Sequence, residues 1–211
     1  MTRFGFFLLA GFLLFGSGCD GSESPGSYED RVMQERIQRD MQMREKESVL
    51  PPDRRTAFRG LDYFPVDTAY RFVVPFQRQS APDTVMLAEN TGRMREQVRV
   101  GNVTLPLSPD SARLVVFEGA GDSPRGRLWI PFADATNGDS TYEAGRYVDL
   151  TRMGDDSVVV DFNRAYNPTC VYNPEYVCPL PPTENRLTVP VPAGEKMPSF
   201  VASGQTRSIG E

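Results

Sequence analysis

From Tyr70 onward the apolar residues recur at every second position. Tyr70, Phe72, Val74 and Phe76 fall on one side of an extended chain, the period of a half-buried strand. Val98 and Val100, then Val103, Leu105 and Leu107, repeat it on either side of Gly101-Asn102, a dipeptide that predicts a two-residue hairpin. Leu114 to Phe117 follow a polar turn at Ser108 to Ser111. Next come Leu128, Ile130 and Phe132, then Tyr147 to Leu150. A turn at Gly154-Asp155 leads into Val158, Val160 and Phe162, and Leu187, Val189 and Val191 predict a last strand. About seven to nine short strands with no helices between them imply a mainly β domain, an antiparallel sandwich or barrel-like fold. It spans residues 51–197, with a polar tail, 198–211, expected to be disordered.

Ahead of the strands the period changes. Ser27 is a helix N-cap with Asp30 three residues on, the spacing of a capping box. Tyr28 to about Glu47 reads as a charged helix, closed by Pro51 and Pro52 within a segment 28–50. Met33, Ile37 and Met41 make a narrow apolar stripe expected to dock on the β domain, a partner-binding face being the alternative. Glu35 with Arg39 and Arg36 with Asp40 are opposite charges at i, i+4.

The chain opens MTRFGFFLLAGFLLFGSG. Arg3, an apolar run from Phe4 to Phe15 and small residues at 16–18 make the three-part pattern of a secretory signal. Such a run rises only ~18 Å as a helix, short of the ~30 Å hydrocarbon core. Small residues ending directly at Cys19 resemble the lipobox of bacterial lipoproteins, although Gly16 stands where Leu is usual. That resemblance implies cleavage after residue 18, acylation of Cys19 and anchoring in a lipid bilayer of the cell envelope. The alternative is a plain cleaved signal. Residues 19–27 have the composition of a flexible tether.

Charge and composition narrow the functions. Against 28 acidic residues stand 23 basic ones, and loss of Arg3 with the leader takes the net charge from −5 to −6. A net acidic chain is a poor partner for nucleic acid. The sequence has no histidine, which removes imidazole bases and most types of zinc site. No metal, cofactor or catalytic residue is assigned. Acylation of Cys19 would leave Cys170 and Cys178 as a pair, and an exported compartment favours a disulfide between them. A two-thiolate metal site fits the spacing badly.

Several stretches resemble a bacterial family known as domain of unknown function 1684. They are FRGL from Phe58 with the YFPVD that follows, PFADATNGDSTYEAGRY (Pro131 to Tyr147), DFNRAYNPTCVYNPEYVCPLPPTENRL (Asp161 to Leu187) and AGEK from Ala193. The resemblance covers about residues 28–197, in the family's short form. It implies a β-rich fold and no activity.

Two of these stretches concentrate chemistry that packing does not need. Asp134, Thr136, Thr141, Tyr142 and Arg146 crowd one loop. Asp161, Asn163, Arg164, Asn167, Glu184, Asn185 and Arg186 lie in a second, long one. The loops could share a ligand cleft, with Arg forks suited to carboxylate or phosphate and the Asn, Asp and Tyr set suited to sugars or another small polar ligand. Alternatively Arg146 and Arg164 pair with Asp134 and Asp161 as buried structural bridges. The function implied is a non-catalytic envelope module binding a small ligand, a glycan or an envelope protein. A carboxylate-dependent hydrolase is the alternative, with Asp134 or Asp161 paired with Glu184 or Glu195 at about 5–10 Å.

Overall fold

The computed structural model describes residues 26–107, 111–119 and 126–199. The leader, Cys19, most of the tether, Ser108 to Asp110 and all but the first residues of the tail lie outside the described residues.

Seven strands form one open antiparallel sheet: β1 (Arg71–Pro75), β2 (Gln77–Ala88), β3 (Met94–Leu105), β4 (Ala112–Glu118), β5 (Leu128–Phe132), β6 (Arg146–Met153) and β7 (Ser157–Asp161). Their order is β1-β7-β6-β5-β4-β3-β2. The fold is mainly β, as the alternation predicts, and it is barrel-like rather than a sandwich. Strands β1 and β2 are the two edges of the sheet, yet only Phe76 separates them along the chain. The sheet therefore curls until its edges meet at that residue. Phe76 N–H donates to the Asp156 carbonyl on the β6–β7 turn at 2.8 Å, while Gln77 already pairs with Asn102 of β3.

The meeting of the edges explains Gly101. A Cβ there would stand 2.5 Å from the Gln77 carbonyl oxygen and 2.7 Å from the Phe76 ring. The hairpin expected at Gly101-Asn102 does not form, and β3 runs straight through. Its register against β4 slips between Arg99 and Gly101, which moves the inward parity from Val100 to Val103 and Leu105. The change of parity is a bulge, not a turn. A second correction concerns Leu187 to Val191, which form no strand. Leu187 and Val191 still reach the core, from a loop whose Leu187 N–H donates to the Ala133 carbonyl at 2.7 Å. Pro190 and Pro192 have no N–H to give a ladder.

The inner face of the curl holds the main core, with Val103, Leu105, Leu114, Val116, Ile130, Phe132, Val148, Val158, Val160 and Phe162 all buried. The outer face of the central strands is apolar too, at Val115, Phe117, Trp129 and Tyr147. The long segment after β7 covers it, which is why every residue of β5 is buried. Each large side chain removed from water in this way stabilises by about 1.5–3 kcal/mol.

Helix α1 (Tyr28–Arg44) begins with the predicted capping box, Ser27 Oγ accepting from Asp30 N–H and the Asp30 carboxylate accepting from Ser27 N–H. It stops at Arg44, short of the prolines. Pro52 instead opens a second helix, α2 (Pro52–Ala57). The docking face of α1 is not the expected one. Met33, Ile37 and Met41 are 43%, 50% and 62% exposed, while Val32, Arg36 and Met43 are buried. Nor do the i, i+4 ion pairs form, because Glu35 and Arg39 reach across to the β domain and Asp40 accepts from Leu61 N–H.

Candidate functional site

The candidate residues separate into three places rather than one cleft. Asp134, Thr136, Thr141 and Arg146 make a sealed network under the β5–β6 loop. Arg146 and Asp134 are paired at 2.9 Å with no exposed side-chain surface on either. The guanidinium also donates to the Val191 carbonyl at 2.8 Å and the Glu195 carbonyl at 3.1 Å. The other carboxylate oxygen of Asp134 accepts from Thr136 Oγ1 at 2.6 Å and from Val191 N–H at 3.1 Å. Thr136 and Thr141 hydroxyls meet at 2.8 Å. Burial pushes the Arg146 pKa down, against the pull of Asp134. The arrangement stitches residues 191–195 to the loop and leaves no polar face for a ligand. This is the structural alternative of the sequence reading.

The second loop is also largely structural. Asn185, fully buried, accepts from Val115 N–H at 2.7 Å and donates to the Val115 and Pro131 carbonyls at 3.0 and 2.9 Å. It therefore bridges β4 and β5 where their ladder has only two paired positions. Asn167 donates its backbone N–H to Glu195 at 2.9 Å and its amide to the Lys196 carbonyl at 2.8 Å. Glu184 and Arg186 are exposed, and Tyr142 is half-buried. Of the four carboxylates proposed for hydrolysis, Asp134 is sealed, Asp161 and Glu195 are buried, and Glu184 lines a groove elsewhere.

Helix α3 (Thr169–Tyr172) carries Cys170. Cys170 and Cys178 are free thiols here, not the expected disulfide. They are in contact, with Cys170 N–H donating to Cys178 Sγ at 3.1 Å. The hydrogen bond between the two sulfurs raises the pKa of Cys170 and lowers that of Cys178.

The third place is open. Between α1 and the β domain lies a cavity of about 280 Å³. Asn163 and Arg164 are the only two of the twelve candidates on its wall. The remainder includes Glu195 of the hydrolase alternative and residues not expected in a site, among them Arg36 and Arg39 of α1, Tyr63, Arg127 and Tyr166. Arg164 forks onto Glu35 at 2.6 and 2.9 Å and also bonds Asp161, the pairing expected, but it is exposed rather than part of a buried bridge. Arg127 forks onto Asp149 at 3.0 and 2.8 Å, and Asp149 accepts from the Tyr166 hydroxyl at 3.0 Å. Arg39 donates to buried Glu195 at 2.6 Å. Burial works against the Arg39 cation, but Glu195 with Tyr172 and Tyr63 together outweigh it and the pKa is raised.

The family described as "Protein of unknown function (DUF1684)" matches residues 56–196. The chain belongs to the DUF1684 family. A solved structure is also similar: the solution NMR structure of an uncharacterized protein of Haloarcula marismortui. It is 34% identical, with a TM-score of 0.63 over 80% of this chain and 94% of that one. No curated protein matches. The DUF1684 match begins after α1, so the cavity joins a helix ahead of the matched residues to the DUF1684 domain itself. Among the described residues no helix is long and apolar enough to cross a membrane.

Periodicity could have found Arg36 and Arg39. Positions 32, 36, 39 and 43 share one helix face, but an arginine there is ordinarily read as solvent-facing. Its apolar stem lets it bury all the same.

Proposed function

We propose that this DUF1684 chain is a lipid-anchored envelope protein whose β domain is a non-catalytic binding module, with the cavity under α1 as its ligand site. The anchoring half rests on the leader pattern and on Cys19. The binding half rests on one observation above the others: the cavity under α1 is preformed, open and walled by tyrosines, guanidinium groups and their carboxylate partners. Polar groups converging on a concave pocket beside aromatic rings are part of the usual make-up of a small-molecule site. Chemistry is disfavoured because the buried carboxylates are already committed as hydrogen-bond acceptors within the fold.

Two measurements test the anchoring. Cys19→Ser is expected to move the protein from the membrane fraction to the soluble envelope fraction, and unchanged fractionation would count against acylation. An exported domain meets protein disulfide oxidants, which take two electrons and two protons from a thiol pair in contact. Cys170 and Cys178 of the native protein are then expected to resist alkylation until a reductant is added. Two alkylated cysteines without reductant would argue for a reducing compartment. The binding half is tested by a thermal-shift screen of sugars and small anions on the full chain.

A further inference from the structure

The cavity under α1 has an unmatched cation in its wall. Three of its four arginines have carboxylate partners: Arg39 with Glu195, Arg127 with Asp149 and Arg164 with Glu35. Asp161, behind the wall, is occupied by Tyr28, Asn163 and Arg164. Arg36 has no carboxylate within ion-pair distance among the described residues. Its guanidinium donates to the Phe64 carbonyl at 2.9 Å and the Asn163 carbonyl at 3.2 Å. Of five donor N–H groups, that leaves three, and the buried Nε has no partner at all. Arg36 is only 9% exposed, and its guanidinium lies over the Tyr63 ring at 4.5 Å.

A buried donor on a desolvated cation is costly to leave unsatisfied. The guanidinium borders the open cavity, and its two remaining terminal N–H groups are a seat for an acceptor that carries negative charge. Only one cation is unmatched, which favours a single charge over a dianion. Besides Asn163 and the carboxylates Glu35, Asp149 and Glu195, each already paired with an arginine, the wall offers Val32, Ala165 and the rings of Tyr63 and Tyr166. We infer that the cavity binds a small organic monocarboxylate, its carboxylate on Arg36 and its apolar body against Val32 and Tyr166. This deepens the binding reading above and rests on it.

The test uses the full chain labelled with 15N and reads the Nε–H signal of Arg36. The probe is benzoate, with benzamide as its neutral isostere and glucose as a neutral polyol. Benzoate is expected to shift the Arg36 Nε–H signal saturably, with a Kd of about 1 mM or tighter, and benzamide to leave it in place. Arg36→Gln assigns the signal and is expected to weaken benzoate roughly tenfold or more, the worth of one charge-assisted bond. Should that variant fail to fold, the nuclear Overhauser contact of the Nε–H with the Tyr63 ring, 4.5 Å from the guanidinium, assigns the signal and the wild-type titration decides alone. No movement with benzoate, or equal movement with benzamide, overturns the inference. If glucose shifts the Val32 and Tyr166 amides while benzoate shifts nothing, the cavity remains a ligand site and only its preference for an anion is wrong.

Discussion

Arg146 and Arg36 show two solutions to the same problem, a guanidinium taken out of water. Removing a charged group from water costs several kcal/mol, recovered only when a counter-charge and further bonds surround it. Arg146 has both, from Asp134 and from the carbonyls of residues 191–195. Asp134→Ala would strand that cation, and the expected cost is about 3–5 kcal/mol in urea unfolding. A loss under about 1 kcal/mol would show that Arg146 finds compensation elsewhere. Adding Arg146→Met is expected to restore most of the stability, since an apolar replacement of a buried pair is often neutral. This pairing was legible in the sequence, because two opposite charges close in the chain flank one tight loop. Arg36 and Arg39 were passed over although they share a helix face with Val32 and Met43, because an arginine there is ordinarily read as facing water.

Among the elements, α1 separates what periodicity reads from what packing selects. The Met33, Ile37, Met41 stripe has the right spacing for a docking face, yet the helix turns Val32, Arg36 and Met43 inward. Replacing all three stripe residues with Gln is expected to change stability by no more than about 0.5 kcal/mol per site. Val32→Asp, at 1% exposure, is expected to release α1 from the domain, visible as faster amide exchange along the helix. An unstable stripe variant would restore the sequence reading. Strand β2 escaped the sequence for a physical reason. Its first half, QRQSAP, carries no apolar alternation, and Pro82 argues against a strand. An edge position tolerates both features. The bulge in β3 was visible only as a change of parity, and it lies where the Phe76 ring and the Gln77 carbonyl leave no room for a Cβ at Gly101. Gly101→Ala, with its Cβ in that clash, is expected to cost about 1–3 kcal/mol and to lower the denaturation midpoint without altering the m-value.

At the scale of the whole molecule, the tyrosines report the integrity of the fold. Burial, the leading cause in each case, raises the pKa of Tyr28, Tyr63, Tyr142, Tyr147, Tyr166 and Tyr172, six of the eight in the chain. Each holds its proton more tightly folded than unfolded. Their contribution is therefore complete below the unfolded value of 10.0 and is lost as pH rises through the folded values, Tyr142 being pushed up to about 12. Tyrosinate absorbance is expected to lag the free-phenol curve and then to rise together with loss of circular dichroism. Titration of all eight near pH 10 with the fold intact would contradict the burial. The chain enters this fold at Tyr28, whose hydroxyl donates to Asp161 at 2.8 Å beside Arg164. A pull applied ahead of α1 would therefore load the end of β7 and the contacts that hold α1 over the cavity, so mechanical tension and occupancy of the pocket would be coupled.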